Sequence, residues 1–107
     1  MTLYRARPQD GVAWITGAST GIGRQLALDL ARQGYVVAAT SREEVPLVSL
    51  AREAEGTPGR IVPFVCDVAD EKDMERTVAA IEAELGPVVL SVLNAGIYSP
   101  SYGERLE

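Results

Sequence analysis

The stretch Ile15-Thr16-Gly17-Ala18-Ser19-Thr20-Gly21-Ile22-Gly23, ITGASTGIG, sets three glycines within seven residues where one hydrophobic pattern gives way to another. Before it, Val12-Ala13-Trp14-Ile15 is a short apolar run suited to a strand buried on both faces. After it, Ile22, Leu26 and Leu30, with Ala27 and Ala31 beside them, recur at helical spacing, and Gly34 supplies a stop. The pattern is strand, glycine turn, helix.

The same alternation continues along the chain. Tyr35 to Thr40 reads as a second buried strand, followed by a helical stripe of Leu47, Leu50, Ala51 and Ala54 that Gly56 and Pro58 close. Pro46 suits the first turn of that helix. Ile61 to Val65 reads as a third strand, and Pro63, which has no N–H for a ladder, predicts an edge position. Asp70 is placed to cap a third helix, with Glu71 and Asp73 in its first turn and Met74, Val78, Ile81 and Leu85 along one face. Gly86-Pro87 ends it, and Val88 to Leu93 is a fourth apolar strand.

Strands alternating with helices specify parallel pairing through right-handed crossovers. The expected fold is therefore α/β, the first four strands of a Rossmann-type doubly wound parallel sheet in the order 3-2-1-4 with three helices. The chain reads as one partial domain over 1–107, with 1–10 and 97–107 as loop. The edge of strand four, left without a further strand, would be open to self-association.

A glycine turn between strand and helix has a physical use. The start of a helix leaves four backbone N–H groups unpaired and carries roughly half a positive charge, so it favours anions. Glycine removes the Cβ that would hold a phosphate away and reaches positive φ without strain. Gly17 would turn the chain off the strand, Gly21 would let a pyrophosphate come close, and Gly23 would let the helix pack tightly on the sheet. The G-x-x-x-G-x-G spacing differs from the commoner G-x-G-x-x-G of dinucleotide sites, and the strand before it and the helix after it carry the assignment.

Composition excludes other functions. Fifteen acidic against ten basic residues give a net charge of −5, and the basic residues are scattered, which argues against nucleic acid or anionic membrane as a partner. The chain contains no histidine and a single cysteine, Cys66, so histidine-based triads and the usual zinc sites are ruled out along with internal disulfides. Cys66 reads as a buried strand residue with no basic partner to activate it. No apolar stretch approaches the roughly 20 residues of a membrane span, and Met1 to Asp10 lacks the apolar centre of a signal peptide, so a cytoplasmic location is expected.

Three motifs, in order and on the expected elements, resemble those of the short-chain dehydrogenase/reductase family. Thr16 to Gly23 is similar to its TGxxxGIG cofactor turn, Cys66-Asp67-Val68 to the step after the third strand, and Asn94-Ala95-Gly96 to its NAG motif. The resemblance covers about Val12 to Gly96. It implies an NAD(P) dinucleotide held by Gly17, Ser19, Thr20, Gly21, Ile22 and Gly23. Asp67 would accept from the adenine amino group, Val68 would line the adenine, and Asn94, Ala95 and Gly96 would pass under the ribose. Taken singly, Asp67 also suits the end of a strand, and Asn94 and Gly96 suit an ordinary turn.

The end of the second strand bears on the choice of nucleotide. An acid there would bind both ribose hydroxyls of NAD and repel a 2′-phosphate, but the sequence is Ala39-Thr40-Ser41-Arg42, with no acid before Glu43. Thr40 and Ser41 offer hydrogen-bond donors, and Arg42 offers a planar fork suited to phosphate, so NADP is expected over NAD. Arg42 also suits a solvated charge at a helix start, and Thr20 stands where some NADP-preferring relatives carry a basic residue.

The family moves a hydride between the nicotinamide and an alcohol or carbonyl substrate, using a tyrosine whose pKa is lowered by a lysine four residues later. A tyrosine near pKa 10 is a poor base at neutral pH, so the cation is needed. Tyr4, Tyr35, Tyr98 and Tyr102 are followed at that spacing by Pro8, Ala39, Tyr102 and Leu106, and the only lysine is Lys72. The chain therefore matches the cofactor-binding half of a longer enzyme, for which the resemblance implies a small-molecule substrate and a homo-oligomeric assembly. A non-catalytic dinucleotide-binding or redox-sensing module is the alternative.

Overall fold

In the computed structural model, which describes residues 7–19 and 21–93, the chain begins with a short 3-10 turn, Pro8–Asp10. Strands β1 (Val12–Thr16), β2 (Val36–Ser41), β3 (Arg60–Val65) and β4 (Val88–Leu93) then alternate with helices α1 (Gly21–Arg32), α2 (Glu44–Glu53) and α3 (Glu71–Glu84). The strands form one parallel sheet in the order β3-β2-β1-β4. This is the expected order, and it puts Pro63 on an edge strand, where a missing N–H is tolerated.

Alternation of side chains along each strand sorts the core into two layers. Ala13, Ile15, Val37, Ala39 and Ile61 face α1 and α2, where they meet Ala27, Leu30, Ala31, Leu47 and Leu50. Val12, Trp14 and Ala38 face the other way, against Ile81 of α3 with Met74 and Val78 beside it. Helices thus cover both faces, and β1, flanked by strands on both sides, is buried at all five positions. Leu47 and Leu50 are fully enclosed, and burying each such side chain contributes roughly 1.5–3 kcal/mol.

The helices obey their caps. Asp70 accepts from the backbone N–H groups of Lys72 and Asp73, anchoring α3 at its expected start. Pro46 lies in the first turn of α2, where its missing N–H has no intrahelical acceptor. One expectation fails. Ile22 is not on the core face of α1 but 80% exposed, because the buried stripe of the helix runs through Gly23, Ala27, Leu30 and Ala31, with Leu28 beside it, and turns Ile22 away from the sheet.

The β1–β4 pairing slips by one residue, Val12 matching Val88 and Ala13 matching Leu90, so Val89 is an extra residue in the ladder. Beyond the slip the strands run in step to Thr16 opposite Leu93. Among the described residues β4 is an edge strand, and Leu93 is 61% exposed.

A buried polar pair spans β1 and β2. The Trp14 indole Nε1–H donates to Thr40 Oγ1 at 2.9 Å, in the layer under α3. An unpaired buried donor costs about 1–3 kcal/mol, so Thr40→Val is expected to lower stability by that amount. Because Trp14→Phe removes the same bond, the double variant should lose less than the two single losses added together, by about 1 kcal/mol, which a denaturant double-mutant cycle measures.

Candidate functional site

Parallel pairing puts the outgoing ends of all four strands on one edge of the sheet. Thr16 stands opposite both Thr40 and Leu93, and Thr40 stands opposite Phe64, so the strands finish in one row. The loops after β1, β2 and β3 leave from that row; the first carries Gly17 and Ser19, the second carries Arg42 directly after Ser41, the last residue of β2, and the third carries Asp67 and Val68. The strand order reverses at β1, since β2 and β3 extend to one side and β4 lies on the other. In open α/β sheets, ligands bind in the crevice at such a reversal.

Backbone bonds stitch the loops together. Ala18 N–H donates to the Thr40 carbonyl at 3.1 Å, tying the glycine turn to β2, and Cys66 N–H donates to the Ser41 carbonyl at 2.9 Å, tying the exit of β3 to β2. Arg24 braces the same end from α1, reaching the Pro46 carbonyl at 3.4 Å and Glu53 Oε1 at 3.1 Å on α2. The site is thus built on the rigid sheet edge rather than on free loops.

Gly17 and Gly21 both adopt left-handed backbone, φ +62° and +59°, which side chains rarely tolerate. Among the described residues, a Cβ built on Gly21 would meet no atom within 4 Å, so no described residue fills the space in front of the first turn of α1. That open approach to the start of α1 fits a phosphate. Ser19 is half-buried in the turn, Gly23 is buried in α1, and Ile22 is exposed at the mouth. Thr20, Asn94, Ala95 and Gly96 lie outside the described residues.

At the end of β2 the neighbouring residues separate. Thr40 is fully buried and accepts the Trp14 indole, so its hydroxyl does not reach the surface where a ribose would lie. Ser41 is buried as well, 8% exposed, and its Oγ accepts from Glu43 N–H at 3.1 Å, which leaves its hydroxyl hydrogen available to donate. Arg42 is exposed and has no ion pair among the described residues. After β3, Asp67 Oδ1 accepts from Ala69 N–H at 2.9 Å, an Asx turn, while Val68 is half-buried beside it.

Cys66 is buried just before Asp67, with Sγ 3.8 Å from Met74 Sδ. Burial pushes its thiol above the ordinary value; a Thr77 hydrogen bond opposes this and the Asp73 carboxylate adds to it. The thiol is therefore neutral and inert at neutral pH, as the sequence indicated.

A family model described as "short chain dehydrogenase" matches residues 11–107. The chain belongs to the short-chain dehydrogenase family. It is 37% identical over 91 residues to a 3-oxoacyl-[acyl-carrier-protein] reductase of Thermotoga maritima, covering 85% of this chain and 37% of that protein. It is 35% identical over 96 residues to the human dehydrogenase/reductase SDR family member 11, covering 88% and 37%. Among solved structures, a short-chain type dehydrogenase/reductase from Mycobacterium marinum superposes with TM-score 0.80 at 38% identity, covering 87% of this chain and 38% of that one. The L-sorbose reductase of Gluconobacter frateurii, solved with NADPH and L-sorbose, superposes with TM-score 0.76 at 31% identity, covering 83% and 34%. The chain thus spans little more than a third of the length of these relatives. The family binds NAD(P) and a small-molecule substrate. No helix among the described residues is long and apolar enough to cross a membrane.

Two outcomes test the geometry. Gly21→Ala should cost about 1–2 kcal/mol in thermal stability from backbone strain, yet weaken dinucleotide binding by more than that cost, because its Cβ enters the open approach. Cys66 in the native chain should resist alkylation at neutral pH and react once denaturant unfolds it, which mass spectrometry follows directly.

Proposed function

We propose that the chain supplies the cofactor site of an NADP-preferring oxidoreductase that transfers hydride between the nicotinamide and an alcohol or carbonyl substrate. The observation that carries this reading is the convergence on one sheet edge of an open glycine turn, the Ser41 hydroxyl at the end of β2, an exposed guanidinium at Arg42 and the carboxylate of Asp67. When bound, the dinucleotide supplies a nicotinamide that donates or accepts hydride.

The chain's own residues bind and orient it. Gly17, Ser19, Thr20, Gly21, Ile22 and Gly23 would surround the pyrophosphate, with the free N–H groups of the first turn of α1 neutralising its charge. Ser41 and Arg42 would hold the 2′-phosphate, the guanidinium by paired charge-assisted bonds. Asp67 and Val68 would take the adenine, and Asn94, Ala95 and Gly96 would pass under the ribose. A cytoplasmic location and a homo-oligomeric whole protein belong to the same reading; the free thiol of Cys66 suits a reducing compartment.

Proton transfer would require a tyrosine–lysine pair that none of the four tyrosines of this chain supplies. That same observation favours a second reading, a dinucleotide-binding module that senses redox state without turnover. A longer transcript encoding a serine followed by Tyr-x-x-x-Lys supports the enzyme, and a stop codon directly after Glu107 supports the module.

Titration with NADPH and NADH tests the nucleotide. Arg42→Ala should weaken NADPH about tenfold, the value of one charge-assisted contact at an exposed site, and leave NADH unchanged. Equal affinities of the variant and the original chain for NADPH would refute the 2′-phosphate assignment.

A further inference from the structure

Asp73 does more than sit in the first turn of α3. An acid at this third helical position ordinarily reaches back to the N–H of the capping residue. Here the N–H of the cap, Asp70, is already taken by the Asp67 carbonyl at 3.0 Å, and Asp73 Oδ2 instead accepts the backbone N–H of Asp67, three residues further out, at 2.9 Å. The helix does not need this bond, since Asp70 already caps it through Lys72 and Asp73 N–H.

The bond is aimed at the β3–α3 loop. Of the contacts that hold Asp67, one is its own Asx turn to Ala69 and another its carbonyl bond to Asp70, both internal to the loop. Among the described residues, Asp73 is the one side chain that fixes this peptide from the helix. Its other oxygen pairs with Arg76. The Asp67 N–H first and Arg76 second hold the Asp73 carboxyl below the usual carboxylate range, so the acceptor is ionised at neutral pH and the bond is charge-assisted.

We propose that Asp73 is a positioning residue for base recognition: by holding the Asp67 N–H it sets the peptide from which the Asp67 carboxylate and Val68 face the adenine. This rests on the reading of the sheet edge as a dinucleotide site. Asp73 itself touches no nucleotide. Its contribution is the orientation of Asp67, whose Oδ1 is committed to Ala69 and whose Oδ2, without a partner among the described residues, would accept from the exocyclic amino group.

The test compares NADPH with its hypoxanthine analogue, in which a carbonyl oxygen replaces the adenine amino group, by equilibrium titration of the full chain. An accepting carboxylate discriminates against that oxygen, so the unsubstituted protein should prefer NADPH by about tenfold. Asp67→Ala should abolish the preference. Asp73→Ala should cut it to about twofold, and Asp73→Asn, whose amide oxygen still accepts from Asp67 N–H, should retain most of it. A structural acid alone would weaken both nucleotides equally with the ratio intact, and that result overturns the positioning role. So does a preference that survives Asp73→Ala while Asp67→Ala removes it, although the adenine site itself then stands. A preference absent from the unsubstituted protein, or untouched by Asp67→Ala, overturns the site reading and this proposal together. If Asp73→Ala melts too early to titrate, Asp73→Ser, too short to span the loop, gives the same comparison.

Discussion

The parallel pairing of β1 with β2 on one side and β4 on the other is the constraint on which the rest of this structure depends. Parallel strands must each be re-entered from the same end, so every loop that leaves the sheet leaves from one edge. The row Thr16, Thr40, Phe64 and Leu93 is that edge. Because the chain crosses over β1 to place β4, the strand order reverses beside the glycine turn, the place where open α/β sheets bind their ligands. The burial of β1 on both faces follows from the same arrangement, and fixes the central strand against which the turn is built.

On that edge, backbone bonds give the loops their order. Ala18 to Thr40 and Cys66 to Ser41 fasten two loops to β2, which makes β2 the shared support of the site although few of its own side chains reach solvent. Asp73 adds a fastening from α3. The glycines contribute the opposite property: at Gly17 and Gly21 the backbone is left-handed, and among the described residues nothing stands in front of Gly21. A rigid support with an open, positively polarised turn is what a bound pyrophosphate requires, because hydrogen-bond donors then need no reorganisation.

Much of this was legible from residue order. Short apolar runs mark the strands of a parallel sheet, so Val12 to Ile15 and Val88 to Leu93 agree within a residue with the observed bounds, although only β1 is buried throughout. Pro63 gave away the edge strand because it cannot donate to a ladder, and Asp70 gave away the start of α3 because its short carboxylate reaches the N–H groups two and three residues on. Ile22 and Thr40 were misread for a shared reason. Periodicity puts Ile22 on the core face, and position at the end of β2 makes Thr40 a hydrogen-bond donor beside Ser41; neither signal says which helix residues meet the sheet or which partner a strand-end hydroxyl finds. Asp73 could have been noticed as the acid three residues after a cap, but its partner could not.

What the sequence by itself determined was the set of elements, their parallel sense and the turn chemistry, since these depend on neighbours within a few residues and on the period of apolar side chains. What only the tertiary structure decided were the contacts between residues far apart in the chain: Trp14 taking Thr40 out of the site, β2 supporting two loops, and Asp73 holding Asp67 across the β3–α3 loop. Hydrogen bonds have a reach of about 3 Å and a direction, and whether two polar groups meet within it depends on how strands register and helices dock, which no local pattern specifies.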